Sequence, residues 1–185
     1  TFFGMSEEVA RATDPQQRVL LEVGYQCLRA SGQSRGTLAG SGIGMFTAVY
    51  DSTWNPAQLG CPEELLAEGA SVVMVASRLS FLLGTVGPVL RVDTACSSSL
   101  VAMHMAKVDL RQRGEGGLNM VMAAMGQLSP LPWAALCQMG MLSRKGRCFT
   151  FDSSGDGFAK GEGFGGLCIG FEVPAPSRLS TCAGT

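Results

Sequence analysis

One cysteine stands where an apolar, strand-like segment changes directly into a helix-like one. In Val92-Asp-Thr-Ala-Cys96-Ser-Ser-Ser99 it is surrounded by small residues. Free backbone N–H groups and the positive end of the helix dipole would face its sulfur there, which favours the nucleophilic thiolate. The same N–H groups can stabilise an oxyanion after the sulfur attacks a carbonyl carbon. Cys96 is therefore a candidate nucleophile, and a buried, small apolar residue is the alternative interpretation.

The other polar motifs are weaker indications of a specific chemistry than Cys96 is. His104 is the chain's one histidine, and it follows Cys96 by about 12 Å along a helix axis, so we expect it to pack rather than act as a base. Residues 152–157 imitate the start of a calcium loop, but Gly163 occupies the position of the required glutamate. Residues 40–44 lack the third glycine of a dinucleotide-binding loop. No calcium or dinucleotide site is predicted.

The segments that must position Cys96 alternate between strands and helices. Strands are predicted over 41–49, 88–94, 118–124 and 166–173. Helices are predicted from residue 14 onward, over 63–83 with a break at Gly69, over 97–113 and over 133–141, with a glycine-rich loop over 143–165. Such alternation predicts a layered α/β fold. Three of the ten methionines are expected to fill its core: Met120, Met122 and Met125.

Local signals mark two of these helices. Asp14 is a good N-cap, Pro15 suits the first helical position, and Gln17 is placed to close a capping box. Gly32 is expected to end this helix and Gly114 to end the helix over 97–113. The apolar face of the first helix is predicted at Val19, Leu20, Val23 and Cys27. The apolar face of the later helix is predicted at Leu100, Val101, Val108 and one side of His104.

Composition excludes several classes of protein. The 185 residues are 46% hydrophobic and 16% charged with a net charge of −1, which argues against disorder and against binding to nucleic acid through phosphates. No apolar run approaches the roughly 18 residues of a membrane span. Seven cysteines without a C-x-x-C pair indicate free thiols in a reducing, cytoplasmic compartment. The low charge also suggests that some apolar surface serves a partner.

The segment around Cys96 resembles the nucleophile motif of β-ketoacyl synthases, in particular the ketosynthase domains of polyketide and fatty acid synthases. The motif is Asp93-Thr-Ala-Cys96-Ser-Ser-Ser-Leu100. Further blocks follow the order of that family: Phe2-Phe-Gly-Met-Ser6, Asp14-Pro-Gln-Gln-Arg18, Ala76-Ser-Arg78-Leu-Ser80, Gly87-Pro88, Gly140-Met-Leu-Ser143, Gly146-Arg-Cys148, Phe151-Asp152, Asp156-Gly157 and Gly161-Glu-Gly163. The resemblance extends from residue 2 to about residue 172.

This resemblance implies a thiolase-like αβαβα fold built from two similar halves. Residues 1–172 would form its N-terminal half, and residues 173–185 a divergent tail. Cys96 would accept an acyl chain from the phosphopantetheine of an acyl carrier protein, with its own N–H in the oxyanion hole. A malonyl-type extender would then lose carbon dioxide and attack that thioester, with no bound cofactor. The strand from Gly87 to Thr94 would pair with its copy in a homodimer.

The chain also departs from the family pattern. The family's condensation step uses two histidines and a lysine from the C-terminal half, whereas this chain has no histidine after His104. We therefore expect weak acyl transfer and no condensation from this chain alone. The alternative is a non-catalytic pseudo-ketosynthase, or interaction fragment, that docks on a complete ketosynthase. A thiolase or chalcone-synthase-like enzyme is disfavoured, because residues 14–18 and 151–163 follow the ketosynthase pattern.

Overall fold

A single mixed sheet organises the chain. The computed structural model describes residues 2–50, 52, 54–55, 60–114, 116–126, 130–171 and 181–183. Its strands are β1 Gly44–Val49, β2 Val89–Val92, β3 Leu118–Met125, β4 Gly163–Gly170 and β5 Thr181–Ala183, in the order β2-β1-β3-β4-β5. β1 is parallel to both β2 and β3, and β4 is antiparallel to β3 and β5. The four predicted strands are confirmed, and β5 is present in addition. β4 begins at Gly163, inside the predicted loop, and ends at Gly170, and the predicted end at Val173 lies outside the described residues.

Seven helices accompany the sheet in the described part of the chain. They are α1 Glu7–Ala12, α2 Pro15–Ala30, α3 Arg35–Leu38, α4 Glu63–Ala70, α5 Val72–Leu83, α6 Ser98–Arg113 and α7 Pro130–Gln138. Asp14 is the N-cap of α2 and Pro15 its first residue, as predicted. The predicted ends of α2 and α6 are confirmed as well, since Gly32 and Gly114 both have a positive φ. The sequence did not predict α1 and α3, which are too short for an apolar period to appear. No described helix is both long and apolar enough to cross a membrane.

The predicted division of residues 63–83 into two helices is confirmed, but the junction lies at Ser71 rather than at Gly69. The Gly69 carbonyl accepts the Asp14 N–H at 2.8 Å and the Gln17 side-chain amide at 3.1 Å. The predicted capping box at α2 is therefore wrong. Gln17 reaches across to the end of α4, because the Asp14 N–H already has an acceptor there.

Helices cover the two faces of the sheet in separate clusters. On one face, α2 and α5 pack over β1 and β3, with Met45, Met120 and Met122 fully buried. On the other face, α6 covers Phe46, Ala48 and Val121. Alternate residues of a strand point to opposite faces, so each strand serves both clusters. The predicted layered α/β arrangement is confirmed. Met125 is 44% exposed at the end of β3, so its predicted place in the core is wrong.

The predicted apolar face of α6 is confirmed only at Val101, which is partly buried against the cluster that contains Phe46 and Val121. The helix buries Ser98, Ala102, Ala106 and Leu110, a stripe of mostly small residues spaced four apart. Leu100 is 69% exposed, and His104 and Val108 are also exposed. Small side chains let α6 lie close to the sheet, whereas apolar residues all around the helix left its inner face ambiguous in the sequence. The packing role expected of His104 is consequently not found.

A buried asparagine holds the end of α6 to the sheet. The Asn119 amide nitrogen donates to the Ala106 carbonyl at 2.8 Å and to Asp109 at 2.7 Å. Its amide oxygen accepts the Gly44 N–H at 2.9 Å and also a bond from Arg113. One side chain thus links α6 to the first residues of β1 and β3, and so fixes how α6 lies over the sheet.

Candidate active site

Cys96 lies in a 3₁₀ turn, Ala95–Ser97, between the end of β2 and the start of α6. The predicted strand-to-helix transition at the cysteine is therefore confirmed. The Cys96 side chain is exposed, which contradicts the alternative of a buried apolar residue. A reagent can reach the sulfur, and the first turn of a 16-residue helix begins two positions later. The N-terminal N–H groups of such a helix carry partial positive charge.

The residue before the cysteine adopts a backbone conformation that side chains disfavour. Ala95 has a φ of 55°, in the left-handed region, which costs roughly 1–2 kcal/mol for a residue other than glycine. The Asp93 carboxylate accepts the Ala95 N–H at 3.1 Å and forms an ion pair with Arg91 at 3.4 Å. These contacts connect the bend to the last residues of β2.

The two serines after Cys96 bind opposite sides of the bend. The Ser97 hydroxyl donates to the Thr94 carbonyl at 2.8 Å and is exposed. The Ser98 hydroxyl is buried, accepts the Thr94 N–H at 2.7 Å and donates to the Ala95 carbonyl at 2.7 Å. In the sequence the three consecutive serines were equivalent, so only the structure distinguishes Ser98. No sequence signal could have identified it.

Several of the sequence blocks meet at one end of the sheet, beyond the carboxyl ends of its parallel strands, where Cys96 lies. β1, β2 and β3 are parallel, so their carboxyl ends share one edge. β4 runs antiparallel and begins with Gly163 opposite Met125, at this same edge. Open α/β sheets bind ligands beyond the carboxyl ends of their strands. The block Gly161-Glu-Gly163 and the nucleophile turn therefore border one end of the sheet.

The block at residues 14–18 also contributes to this edge. The Gln16 side-chain oxygen accepts the N–H of Gly126, the residue that follows β3, at 3.1 Å. Asp14 is fully buried, accepts the Gln16 N–H at 2.7 Å and accepts the Ser52 hydroxyl. Because every one of these polar groups is paired inside the protein, the block supports the shape of the edge. Its role is structural, and the sequence resemblance alone did not reveal which residues it joins.

The calcium-like segment forms hydrogen bonds within its own loop. Asp152 accepts the Ser154 N–H at 2.7 Å, and that bond lowers the pKa of the Asp152 carboxyl. The Ser143 hydroxyl donates to Asp156 at 2.6 Å, which is the main reason that the pKa of Asp156 is lowered. Phe151, which precedes both in the chain, has a φ of 64° and a fully exposed side chain. The described residues contain no cluster of metal-ligand side chains.

The remaining cysteines differ from Cys96 in their surroundings. The thiols of Cys27, Cys61, Cys96, Cys137, Cys148 and Cys168 are free. The Cys27 and Cys168 sulfur atoms lie 3.6 Å apart between α2 and β4. A hydrogen bond with Cys168 and burial raise the pKa of the Cys27 thiol. Cys137 and Cys148 are exposed like Cys96, but neither lies between a strand and the start of a helix.

Comparison with known proteins gives one consistent result. The family model for the β-ketoacyl synthase N-terminal domain matches residues 1–170. The chain is 42% identical over 172 residues to a phenolphthiocerol/phthiocerol polyketide synthase of Mycobacterium tuberculosis. It is 40% identical over 165 residues to a highly reducing polyketide synthase of Gibberella fujikuroi. These matches cover 88% of the chain but only 8% and 6% of the two relatives.

Solved structures agree with these relatives. The ketosynthase from module 6 of the bacillaene synthase of Bacillus subtilis matches with a TM-score of 0.79 and 32% identity, over 90% of this chain and 28% of that one. An oxazolomycin ketosynthase domain from Streptomyces albus matches with a TM-score of 0.80 and 32% identity, over 90% of this chain and 30% of that one. The predicted thiolase-like fold is confirmed by this likeness.

Proposed function

The chain belongs to the β-ketoacyl synthase family, and from that premise we propose that Cys96 is the acyl-accepting nucleophile of a polyketide-type ketosynthase. The Cys96 sulfur bonds to the carbonyl carbon of an acyl thioester, and the carbonyl electron pair moves onto oxygen. When the carbonyl re-forms, the donor thiolate leaves and takes up a proton equivalent to the one that Cys96 lost. The acyl chain is then held on Cys96 as a thioester.

The position of Cys96 supports this proposal best. It is exposed in the turn between β2 and α6, at the edge of the sheet where the carboxyl ends of three parallel strands lie. Its own N–H belongs to the same turn and is suited to bind the oxyanion. Among the exposed cysteines of the described residues, Cys96 alone combines these features.

The acyl donor and a second copy of the chain belong to the same proposal. The acyl chain arrives on the phosphopantetheine of an acyl carrier protein, and Cys96 itself needs no resident cofactor for the transfer. The second copy pairs through β2, which among the described residues is the terminal strand of the sheet and pairs with β1 alone. Val89 in this strand is 37% exposed, so the outer strand offers a second copy apolar surface as well as backbone groups.

Labelling tests the nucleophile. The longest natural protein that contains this chain is incubated with a butyryl thioester of N-acetylcysteamine, and acyl adducts are mapped by peptide mass spectrometry. We expect the adduct on Cys96, and its complete loss in Cys96→Ala. Cys148→Ala is the matched control, because it removes another exposed thiol and should keep the adduct. An adduct that persists at another cysteine in Cys96→Ala contradicts the proposal.

A non-catalytic interaction fragment is the second candidate. The 185 residues contain one histidine, His104, which is exposed on α6, so they do not themselves supply the two histidines that the resemblance implies for condensation. We propose that the chain by itself transfers acyl groups weakly and does not condense them. Failure to acylate Cys96 would favour the interaction role, whereas a ketoacyl product from the isolated chain would contradict the expected lack of condensation.

A further inference from the structure

Ser98 joins the two peptide groups on either side of the bend before Cys96. Its hydroxyl accepts the Thr94 N–H at 2.7 Å and donates to the Ala95 carbonyl at 2.7 Å. The Ala95 carbonyl also accepts the Ser98 backbone N–H. Ser98 is 8% exposed, whereas Thr94 and Ala95 are exposed, so these bonds join a buried hydroxyl to the exposed bend.

The carbonyl of Ala95 and the N–H of Cys96 are parts of one peptide group. This group is planar and trans, so the N–H points opposite to the carbonyl. Ser98 holds the carbonyl toward the start of α6 with two donors, and it thereby directs the Cys96 N–H away from the helix. Among the described residues, the Cys96 N–H makes no hydrogen bond and is available to a ligand.

We infer that Ser98 is a positioning residue, whose buried hydroxyl orients the Cys96 N–H toward the oxyanion formed during acyl transfer. The inference rests on the proposed function of Cys96. The left-handed Ala95 adds a reason, since backbone in such a conformation persists only where its surroundings hold it. Without the Ser98 hydroxyl, the Ala95–Cys96 peptide group can rotate to relieve that strain. The rotation turns the Cys96 N–H away from the oxyanion.

The neighbouring serines do not share this role. Ser97 binds the Thr94 carbonyl and hydroxyl, and it makes no contact with the Ala95 carbonyl. Ser99 lies in the first turn of α6, and its side chain makes no hydrogen bond with the described residues. Ser99 is therefore a matched control for Ser98, with the same side chain one position away.

Two reactions of the same sulfur separate positioning from general damage. Acyl transfer from a thioester passes through an oxyanion, which the Cys96 N–H stabilises. Alkylation by iodoacetamide forms a sulfur–carbon bond, expels iodide and loses the thiol proton to solvent, with no oxyanion at any stage. If the Cys96 N–H points away from the oxyanion, acyl transfer slows and alkylation does not. If the turn is misfolded or inaccessible, both reactions slow.

The experiment compares rate constants for the two reactions at Cys96 in the longest natural protein that contains the chain. The probes are the butyryl thioester of N-acetylcysteamine and iodoacetamide, and adducts are followed by mass spectrometry. We expect Ser98→Ala to slow acylation about 10- to 100-fold, a loss bounded by that of removing an oxyanion donor altogether, and alkylation less than about 3-fold. Ser99→Ala should match the unsubstituted protein in both reactions.

A second pair of variants covers the case in which Ser98→Ala folds poorly. Ser98→Thr and Ser98→Val have the same branched shape, with a methyl group in valine where threonine has its hydroxyl, so we expect acylation to be at least about 10-fold faster in Ser98→Thr, with similar alkylation. Equal acylation within this pair, or equal slowing of both reactions in Ser98→Ala, overturns the inference. Absence of any Cys96 adduct from the thioester in the unsubstituted protein overturns the proposed function instead.

Discussion

At the scale of single residues, the nucleophile turn depends on side chains that are small or that bind backbone. Alanine has the smallest side chain after glycine, and the Ala95 φ of 55° lets β2 turn directly into α6. Asp93, Ser97 and Ser98 each bind a backbone group of this bend. The turn is therefore held by hydrogen bonds on both sides of the cysteine and leaves its sulfur exposed.

A prediction at this scale concerns the loop that holds Asp156. The Ser143 hydroxyl stabilises the charged Asp156 carboxylate, so Ser143→Ala should raise the pKa of Asp156 toward its ordinary value. A carboxyl with a lowered pKa in the folded state contributes stability above its unfolded pKa, and loses this contribution as pH falls through the folded value. The contribution thus begins to decrease below about pH 4, near the ordinary aspartate pKa, and is lost once the pH is below the lowered pKa of the folded state.

Carboxyl resonances followed by NMR over an acid titration measure this shift. Asp152 provides the internal control, because its pKa is lowered by the Ser154 N–H, a bond that Ser143→Ala leaves intact. We expect the Asp156 midpoint to rise while the Asp152 midpoint stays constant. An unchanged Asp156 midpoint would show that the Ser143 hydroxyl does not stabilise the carboxylate.

At the scale of elements, the placement of α6 depends on packing and on a polar joint, by which we mean the hydrogen bonds of the Asn119 side chain. Ala102 and Ala106 bring the helix close to β1 and β3, and Asn119 then joins the helix to the first residues of these strands. This joint lies at the opposite end of α6 from Cys96. Because α6 is held at both ends, the turn that carries the nucleophile has a fixed position relative to the sheet.

Replacing Asn119 tests this joint. Asn119→Leu keeps the branched shape of the side chain but leaves the buried Gly44 N–H and Ala106 carbonyl without their partner, so we expect the free energy of unfolding to fall by about 3 kcal/mol. Gln112→Leu, on the exposed side of α6, should change it by less than about 0.5 kcal/mol. Urea unfolding monitored by circular dichroism compares the two variants. Similar midpoints for both would contradict a structural role for the asparagine.

At the scale of the whole molecule, large apolar side chains remain on the surface of the described residues. Phe81 is 84% exposed, Leu131 is 78% exposed and Leu100 is 69% exposed. They belong to three different helices, so the exposed apolar surface is not confined to one loop. This agrees with the low proportion of charged residues, 16%, because apolar side chains occupy positions that are usually charged.

The dimer proposed through β2 makes a prediction at this scale. A lysine at an exposed edge strand opposes pairing with a second strand, so Val89→Lys should weaken self-association at least about 10-fold. Val73→Lys adds the same charge on α5 at a position that is 65% exposed, and it should leave association unchanged. Sedimentation velocity over a range of concentrations compares them. Equal weakening by both variants would indicate a general charge effect and contradict pairing through β2.

The sequence by itself determined the order of the longer helices and of β1 to β4, and the place of the cysteine between β2 and α6. Those features depend on local signals: apolar runs for strands, Asp14 and Pro15 at a helix start, and glycines such as Gly114 at helix ends. Motif spacing also identified the family, because nine blocks beyond the cysteine motif stand in its order over residues 2–163. Each of these signals can be read within a few residues of chain.

The tertiary structure alone decided which side of α6 is buried and what each polar side chain binds. Apolar residues surround α6, so the stripe of Ala102 and Ala106 became its inner face only when the sheet was in place. Gln17 was expected to cap its own helix, but it binds the end of α4 because the fold brings the Gly69 carbonyl there. Three successive serines follow Cys96, and only Ser98 enters the bend. Such roles depend on groups that are distant in sequence, or on the direction in which a side chain points, and neither is encoded in local spacing.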